Sequence, residues 1–184
     1  KVDFSLSGPV PWSDEPSRAS AVVHAAEGLD DLRRFTRQVR GGDLPDQPYL
    51  VIGQQSLVDP TRAPDGRHTL YAYPHVPATL DALRYPGGWA AWREGLAGRS
   101  EAGSEGLAPG FRTLVRGRAL HDPGDLERMS SNLLGSDLGA GTAHVHNQLV
   151  LRPAFPWFRH RTPVRRLYLS SAFTHPGTGA HGLC

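Results

Sequence analysis

Apolar and polar residues alternate at the start of the chain, Val2-Asp3-Phe4-Ser5-Leu6, with the period of two that marks a half-buried strand. Gly8-Pro9-Val10-Pro11-Trp12 ends that strand, and residues 13–20 read as a polar loop. A second short strand is expected at Ala21-Val22-Val23-His24. The period then changes: Leu29, Leu32, Phe35, Thr36 and Val39 recur at helical spacing. Asp30 and Asp31 suit the first turn of that helix, and Gly41-Gly42, free to take positive φ, supplies its stop.

Further along, residues 49–52 and 68–73 read as two strands, joined through the turn signals Asp59-Pro60 and Pro64-Asp65-Gly66. Trp89, Trp92 and Leu96 lie at i, i+3 and i+7, which predicts a short amphipathic helix over 88–98. Residues 100–110, rich in Gly, Ser and Glu, are expected to be a flexible loop or a frayed helix end. Residues 111–120 read as a helix turning into a strand, and 122–129 as one or two helical turns. Leu149-Val150-Leu151 is a brief apolar run, and Leu167-Tyr168-Leu169 reads as a buried strand. There is no internal repeat. Strands mixed irregularly with few helices predict an α+β fold: a mixed, largely antiparallel sheet with a few helices on one face. No Gly-x-Gly-x-x-Gly is read after a strand anywhere in the chain, so no dinucleotide-binding fingerprint is expected.

Composition narrows the function classes. The 184 residues suit one domain with a real core, and 21 glycines and 16 prolines imply many turns. The net charge of +2 hides no polybasic run; Arg33-Arg34 and Arg165-Arg166 are the densest basic spots, without interleaved aromatics. Nucleic-acid binding therefore lacks its electrostatic footprint. A single cysteine, Cys184, excludes an intrachain disulfide framework and a Cys-based zinc site, and suits a reducing compartment. No apolar run approaches the roughly 20 residues of a membrane span, and residues at the N-terminus lack a signal-peptide pattern. The expected location is cytoplasmic, with at most peripheral membrane contact. Both ends of the chain read as cut.

The most distinctive segment is residues 170–182, Ser-Ser-Ala-Phe-Thr-His-Pro-Gly-Thr-Gly-Ala-His-Gly, directly after the Leu167-Tyr168-Leu169 strand. A glycine-rich loop lets backbone approach a flat ligand closely, and its amides can donate to a polarised ring or a phosphate. An ordinary Gly/Pro turn has the same composition. The order of residues adds more. Leu167-Tyr168-Leu169-Ser170-Ser171-Ala172, then Thr174-His175-Pro176-Gly177, Gly179 and Gly182, resembles the strand and loop through which FAD-dependent oxidoreductases of the phytoene-desaturase (phytoene dehydrogenase-like) type re-enter their cofactor domain. Thr178 departs from the pattern, where that family usually has glycine.

Earlier segments resemble the pyridine nucleotide-disulfide oxidoreductase-like branch of the same family. They are residues 2–12, ending in Gly8-Pro9-Val10-Pro11-Trp12, and residues 54–70, with Gln55-Ser56, Asp59, Arg62-Ala63-Pro64 and Gly66-Arg67-His68-Thr69. Leu107-Ala108-Pro109-Gly110-Phe111, Pro123-Gly124-Asp125-Leu126-Glu127 and Asn132-Leu133-Leu134-Gly135-Ser136-Asp137 continue the likeness. The resemblance implies a substrate-binding domain over residues 1–166. Residues 167–184 would be the returning strand and glycine loop of an FAD-binding domain whose remainder is absent. It implies a parent enzyme in which flavin takes hydride from an apolar substrate, and FAD contacts at Thr174, His175, Pro176, Gly177, Gly179 and Gly182. The implied partners are the missing FAD-binding domain and an apolar small molecule. Exposed apolar surface at the vacant domain interface would favour homo-oligomers. The chain alone is expected to be inactive and to bind FAD weakly, because pyrophosphate and adenosine contacts belong to the other half.

Other residues leave alternatives open. His144 and His146 alternate, as ligands on one side of a strand would, yet no cupin-type Glu follows and position 148 is Gln148 rather than a third His. They are candidates for a substrate pocket together with Gln148, or else structural histidines, and no metal site is expected. His175 and His181 flank the glycines; His175 is either close to the ring or an exposed turn residue. Trp89 and Trp92, beside Tyr85-Pro86, are candidates for an apolar substrate channel or membrane-facing patch. For Arg62 and Arg152, salt bridges to Asp59 or Asp137 are the default reading. Two functions compete with the flavoenzyme: a stand-alone module binding an apolar ligand or a protein, and a metal-dependent enzyme built on His144 and His146.

Overall fold

In the computed structural model, residues 1–26, 28–137 and 160–169 are described. Two compact units divide the chain, Lys1–Pro123 and Gly124–Cys184.

The first unit is built on five strands: β1 Val2–Leu6, β2 Val22–Ala25, β3 Leu50–Gly53, β4 His68–Pro74 and β5 Val115–Leu120. They lie in the order β2-β3-β4-β1-β5, and every neighbouring pair is antiparallel. The expected α+β class is therefore observed, with a sheet that is wholly antiparallel among the described strands. Register fixes which residues share a face. Phe4 pairs with Leu70 and with Arg118, Val2 with Ala72, Ile52 with Ala72, and Leu50 with Ala25. These positions form the core face, where Leu6 and Ile52 are fully buried. The period of two in the sequence was thus read in the right phase.

Five described helices accompany the sheet. They are α1 Glu15–Arg18, α2 Leu29–Arg40, α3 Gln55–Val58, α4 Gly88–Leu107 and α5 Phe111–Leu114. Among them α4 and α5 bring Ala97 and Phe111 onto the core face. α2 ends as its sequence predicts: Gly41 and Gly42 close the last turn onto Arg37 O and Val39 O, and Gly42 takes φ +79°.

α4 runs well past the expected stop near residue 98. Its buried stripe is Leu96, Ala97, Ser100 and Ser104, small residues that let the helix lie close to the sheet. The Ser100 and Ser104 hydroxyls donate to Leu96 O and Ser100 O, 3.0 Å each, so the polar atoms are satisfied within the helix. Polarity in residues 100–107 therefore signalled tight packing rather than a loop. Beyond it, Glu105 accepts hydrogen bonds from the backbone of Gly110 and Arg112, 2.8 Å each, fastening the end of α4 to the start of α5. Phe111 then meets Phe4 edge-on, 5.4 Å between centroids and 81° between planes.

α6, Pro123–Met129, leads into the second unit. Within that unit Asp125 pairs with Arg128, and Glu127 accepts from the Gly135 amide at 3.2 Å. Residues 160–169 form a tight hairpin with one antiparallel bridge, Arg161 to Tyr168. Thr162 holds it closed, its amide and hydroxyl both donating to Leu167 O, at 3.1 and 2.9 Å. Here the structure departs from the expected buried strand: Leu167, Tyr168 and Leu169 are exposed, Tyr168 by 62 %. Apolar alternation identifies a surface that burial would favour, and does not by itself supply a partner.

Candidate functional site

The second face of the sheet carries the positions that the core face does not. Val22 stands opposite Gly53, Gly53 opposite Tyr71, Tyr71 opposite Asp3, and Asp3 opposite Ala119. His24, Val51 and Tyr73 make the next row. Val51 and Gly53 at the centre of these rows are buried, Tyr71 and Tyr73 half-buried, and His24, Val22 and Ala119 exposed, so the face is open around the two tyrosines.

Two tyrosines dominate it. Tyr71 and Tyr73, two residues apart on β4, stack with centroids 5.9 Å apart and planes 18° apart. His75 continues the row, 6.1 Å from Tyr73. Tyr71 lies flat because Gly53 opposite it has no side chain: a Cβ there would stand 2.4 Å from the ring. At its other side Lys1 Nζ sits 5.8 Å from the Tyr71 centroid and 3.0 Å from Asp3 Oδ1. Burial, and after it the phenols of Tyr71 and Tyr49, raise the Tyr73 pKa above the ordinary tyrosine value. Tyr73 is therefore a neutral hydroxyl throughout the physiological range, able to donate a hydrogen bond.

At the end of the same face lies a cavity of about 440 Å³, lined among others by Ser5, Arg67, His68, Thr69 and Arg116. Two guanidinium groups make its wall cationic. Beside it Ser56 Oγ lies 3.1 Å from His68 Nδ1, the pairing that a nucleophile would need. Ser56 is buried, however, and its oxygen also accepts from Thr69 N at 3.1 Å. It ties α3 to β4. Among the described residues no carboxylate hydrogen-bonds to His68, so within them the pair has no third group of a catalytic triad.

Of the residues singled out in the sequence, Trp89, Trp92 and Arg62 are among those in the described part. The two tryptophans stand on α4 against a small second core of Leu44, Leu80 and Leu96. Their indole nitrogens donate to Ala78 O and Pro86 O, 3.1 Å each, and Trp92 meets Tyr85 edge-on at 5.1 Å. Trp89 also lines a cavity of about 30 Å³. The Arg62 to Asp59 ion pair, 3.0 Å, is as expected. Thr174, His175, Pro176, Gly177, Gly179, Gly182, His144, His146 and Gln148 lie outside the described residues, as does Arg152. The glycines call for one correction from the sequence itself: Gly177, Gly179 and Gly182 do have Gly-x-Gly-x-x-Gly spacing.

Tyr71 and Tyr73 were not singled out, although their spacing of two on a predicted strand places both on one face. Gly53 and Arg116 gave no signal until pairing register was known.

The site is thus one open, aromatic face of an antiparallel sheet with helices behind it, an arrangement suited to forming one wall of a binding site. Comparison with known proteins gives that wall a context. No family model matches the chain. The chain is 33% identical over 156 residues to pyridine nucleotide-disulfide oxidoreductase domain-containing protein 2 of Rattus norvegicus, covering 82% of this chain and 26% of that protein. The Mus musculus protein of the same name matches at the same identity and coverage. The chain spans about a quarter of the length of the curated relatives it matches. Among the described residues, no helix is long and apolar enough to cross a membrane.

Proposed function

We propose that this chain is the substrate side of an FAD-dependent, phytoene dehydrogenase-like oxidoreductase. In this reading residues 1–166 bind an apolar substrate, and residues 167–184 return to an FAD-binding domain lying elsewhere in the parent protein. The observation that carries the reading is the open face around Tyr71 and Tyr73: a flat, neutral, aromatic wall on a helix-backed sheet. Such a wall can cover a planar ring and keep water from it. The similarity to proteins named as oxidoreductases over 82% of the chain supports the same view.

The described residues do not fit the pyrophosphate of FAD. Their strands pair only antiparallel, so they form no βαβ unit to present a glycine turn and helix N-terminus to phosphate. Flavin would supply the redox chemistry and the protein its positioning and electrostatics. This chain's share is to place the substrate, exclude water and offer the Tyr73 hydroxyl as a donor. Trp89, Trp92, His144, His146 and Gln148 remain candidates for the pocket, and the glycine loop for the flavin edge.

The test is flavin content. Purified with added FAD and passed through gel filtration, the 184-residue chain should emerge colourless, whereas the full parent polypeptide should carry about one flavin per chain. A yellow, stoichiometric preparation of the 184 residues overturns the division of labour. A colourless, redox-inactive parent overturns the flavoenzyme itself.

A further inference from the structure

A second cavity, of about 270 Å³, lies within the first unit on the other side of the sheet, where α2 and α4 approach the ends of β2 and β3. It is slightly smaller than the roughly 300 Å³ at which typical small-ligand pockets begin. Its apolar wall comes from Phe35 of α2 with Tyr49, Leu50 and Ala25, the two rings 6.0 Å apart. Its opposite wall is one stripe of α4: Arg99, Ala102, Gly103 and Gly106, spaced i, i+3, i+4 and i+7.

Two features of that stripe work against the stability of an empty cavity. Glycine within a helix is unfavourable relative to alanine, and here it also leaves the space unfilled. A Cβ at Gly106 would meet nothing within 4 Å, and one at Gly103 would touch only Leu50 Cδ1, at 3.9 Å. Sterics do not require either glycine, so both serve to keep the hollow open. The second feature is Arg99. Its Nε is buried without a hydrogen-bond partner, the one such side-chain atom among the described residues. An unsatisfied donor on a cation is among the more unfavourable groups to bury.

The carboxylates near the cavity do not relieve it. Asp31 is held by Arg34 at 2.5 Å, and Asp46 accepts from Gln38 Nε2 at 2.7 Å. What fits is a molecule with an apolar body for the Phe35 and Tyr49 wall and a planar anionic acceptor for the guanidinium. We infer that this cavity binds a small apolar monocarboxylate, its carboxylate accepting from Arg99 and its hydrocarbon body lying along Gly103 and Gly106. The inference is independent of any flavin reading, because neither Tyr71 nor Tyr73 lines this cavity.

Octanoate is a suitable probe, with octanol as its uncharged counterpart, titrated into the 184-residue chain by calorimetry and by NMR of the arginine Nε–Hε resonances. Saturable octanoate binding is expected, together with a shift of the Arg99 Hε signal and binding of octanol at least about ten-fold weaker. Arg99→Met, which keeps the stem and removes the charge, should weaken octanoate by about ten-fold or more. Gly106→Leu retains Arg99 and fills the hollow, so it should abolish binding; it serves alone if the Arg99 variant does not fold. Failure of the wild-type chain to bind octanoate at low millimolar concentration overturns the proposal. So does octanol binding as tight as octanoate, or undiminished binding by Gly106→Leu.

Discussion

Trp12 Nε1 donates to Gln54 Oε1 at 3.0 Å, and both side chains are almost wholly buried. The Gln54 amide nitrogen in turn donates to Ser17 O and Ser20 O, at 3.0 and 2.8 Å. One carboxamide therefore anchors the irregular stretch between β1 and β2 to the end of β3. Gln54→Leu keeps the bulk but removes the acceptor of the indole N–H and the side-chain donor to Ser20 O, while Ser17 O keeps the Ser20 amide at 3.3 Å. It should cost about 2 kcal/mol or more, read as a lower urea midpoint with unchanged slope.

Phe111 is fully buried against Phe4, where α5 caps the sheet. Phe111→Ala should destabilise by about 3–5 kcal/mol. Phe111→Leu, closer in volume, should cost about half as much. Equal losses for the two variants would show that the cavity left behind is not what matters. Thermal and chemical denaturation of the same preparations decide it.

Glu105 provides a pH signature. Hydrogen bonds from the Arg112 and Gly110 amides stabilise its carboxylate and hold its pKa below the ordinary glutamate range. A depressed carboxylate pKa contributes stability that is present above the unfolded value and is lost as pH falls through the folded one. Glu105→Gln should therefore lower the melting temperature at neutral pH. The gap to wild type should close progressively in acid. Asp59, lowered by its hydrogen bond from the Thr61 hydroxyl and by Arg62, acts in the same direction. A gap that persists below the depressed pKa would mean that the substituted amide disturbs packing instead.

Gly53→Ala tests the aromatic face. The new methyl would stand 2.4 Å from Tyr71 ring atoms and from Gln55 Nε2, so the ring must leave its stack on Tyr73. A cost of about 1–3 kcal/mol is expected, together with a changed near-ultraviolet circular dichroism signal. If the signal is unchanged, the glycine is not what holds Tyr71 flat.

How much could be read beforehand follows from the physics of each signal. The strand at Val2–Leu6 and the helix at Leu29–Arg40 were legible because each buries one face, and burial prints its own period on the sequence. The end of α4 was not legible. Serine and glycine there resemble loop composition, and only the neighbouring sheet shows that small residues were needed for close approach. The exposure of Leu167, Tyr168 and Leu169 was missed for a related reason, since local pattern carries no information on distant partners. The same limit hid the site. Tyr71 and Tyr73 could have been placed on one face, but that this face is open, and that Gly53 lies beneath Tyr71, depends on pairing between separate segments.

The strand order carries a consequence for synthesis. β1 is made before the other strands of its sheet, yet it lies between β4 and β5, whose residues come much later. Until His68–Pro74 emerges, β1 has neither neighbour, and until Val115–Leu120 follows, one of its edges stays bare. Contacts so distant in sequence slow folding. While the rest of the sheet is being made, Val2, Phe4 and Leu6 therefore stay exposed, which makes β1 a natural target for a holding chaperone.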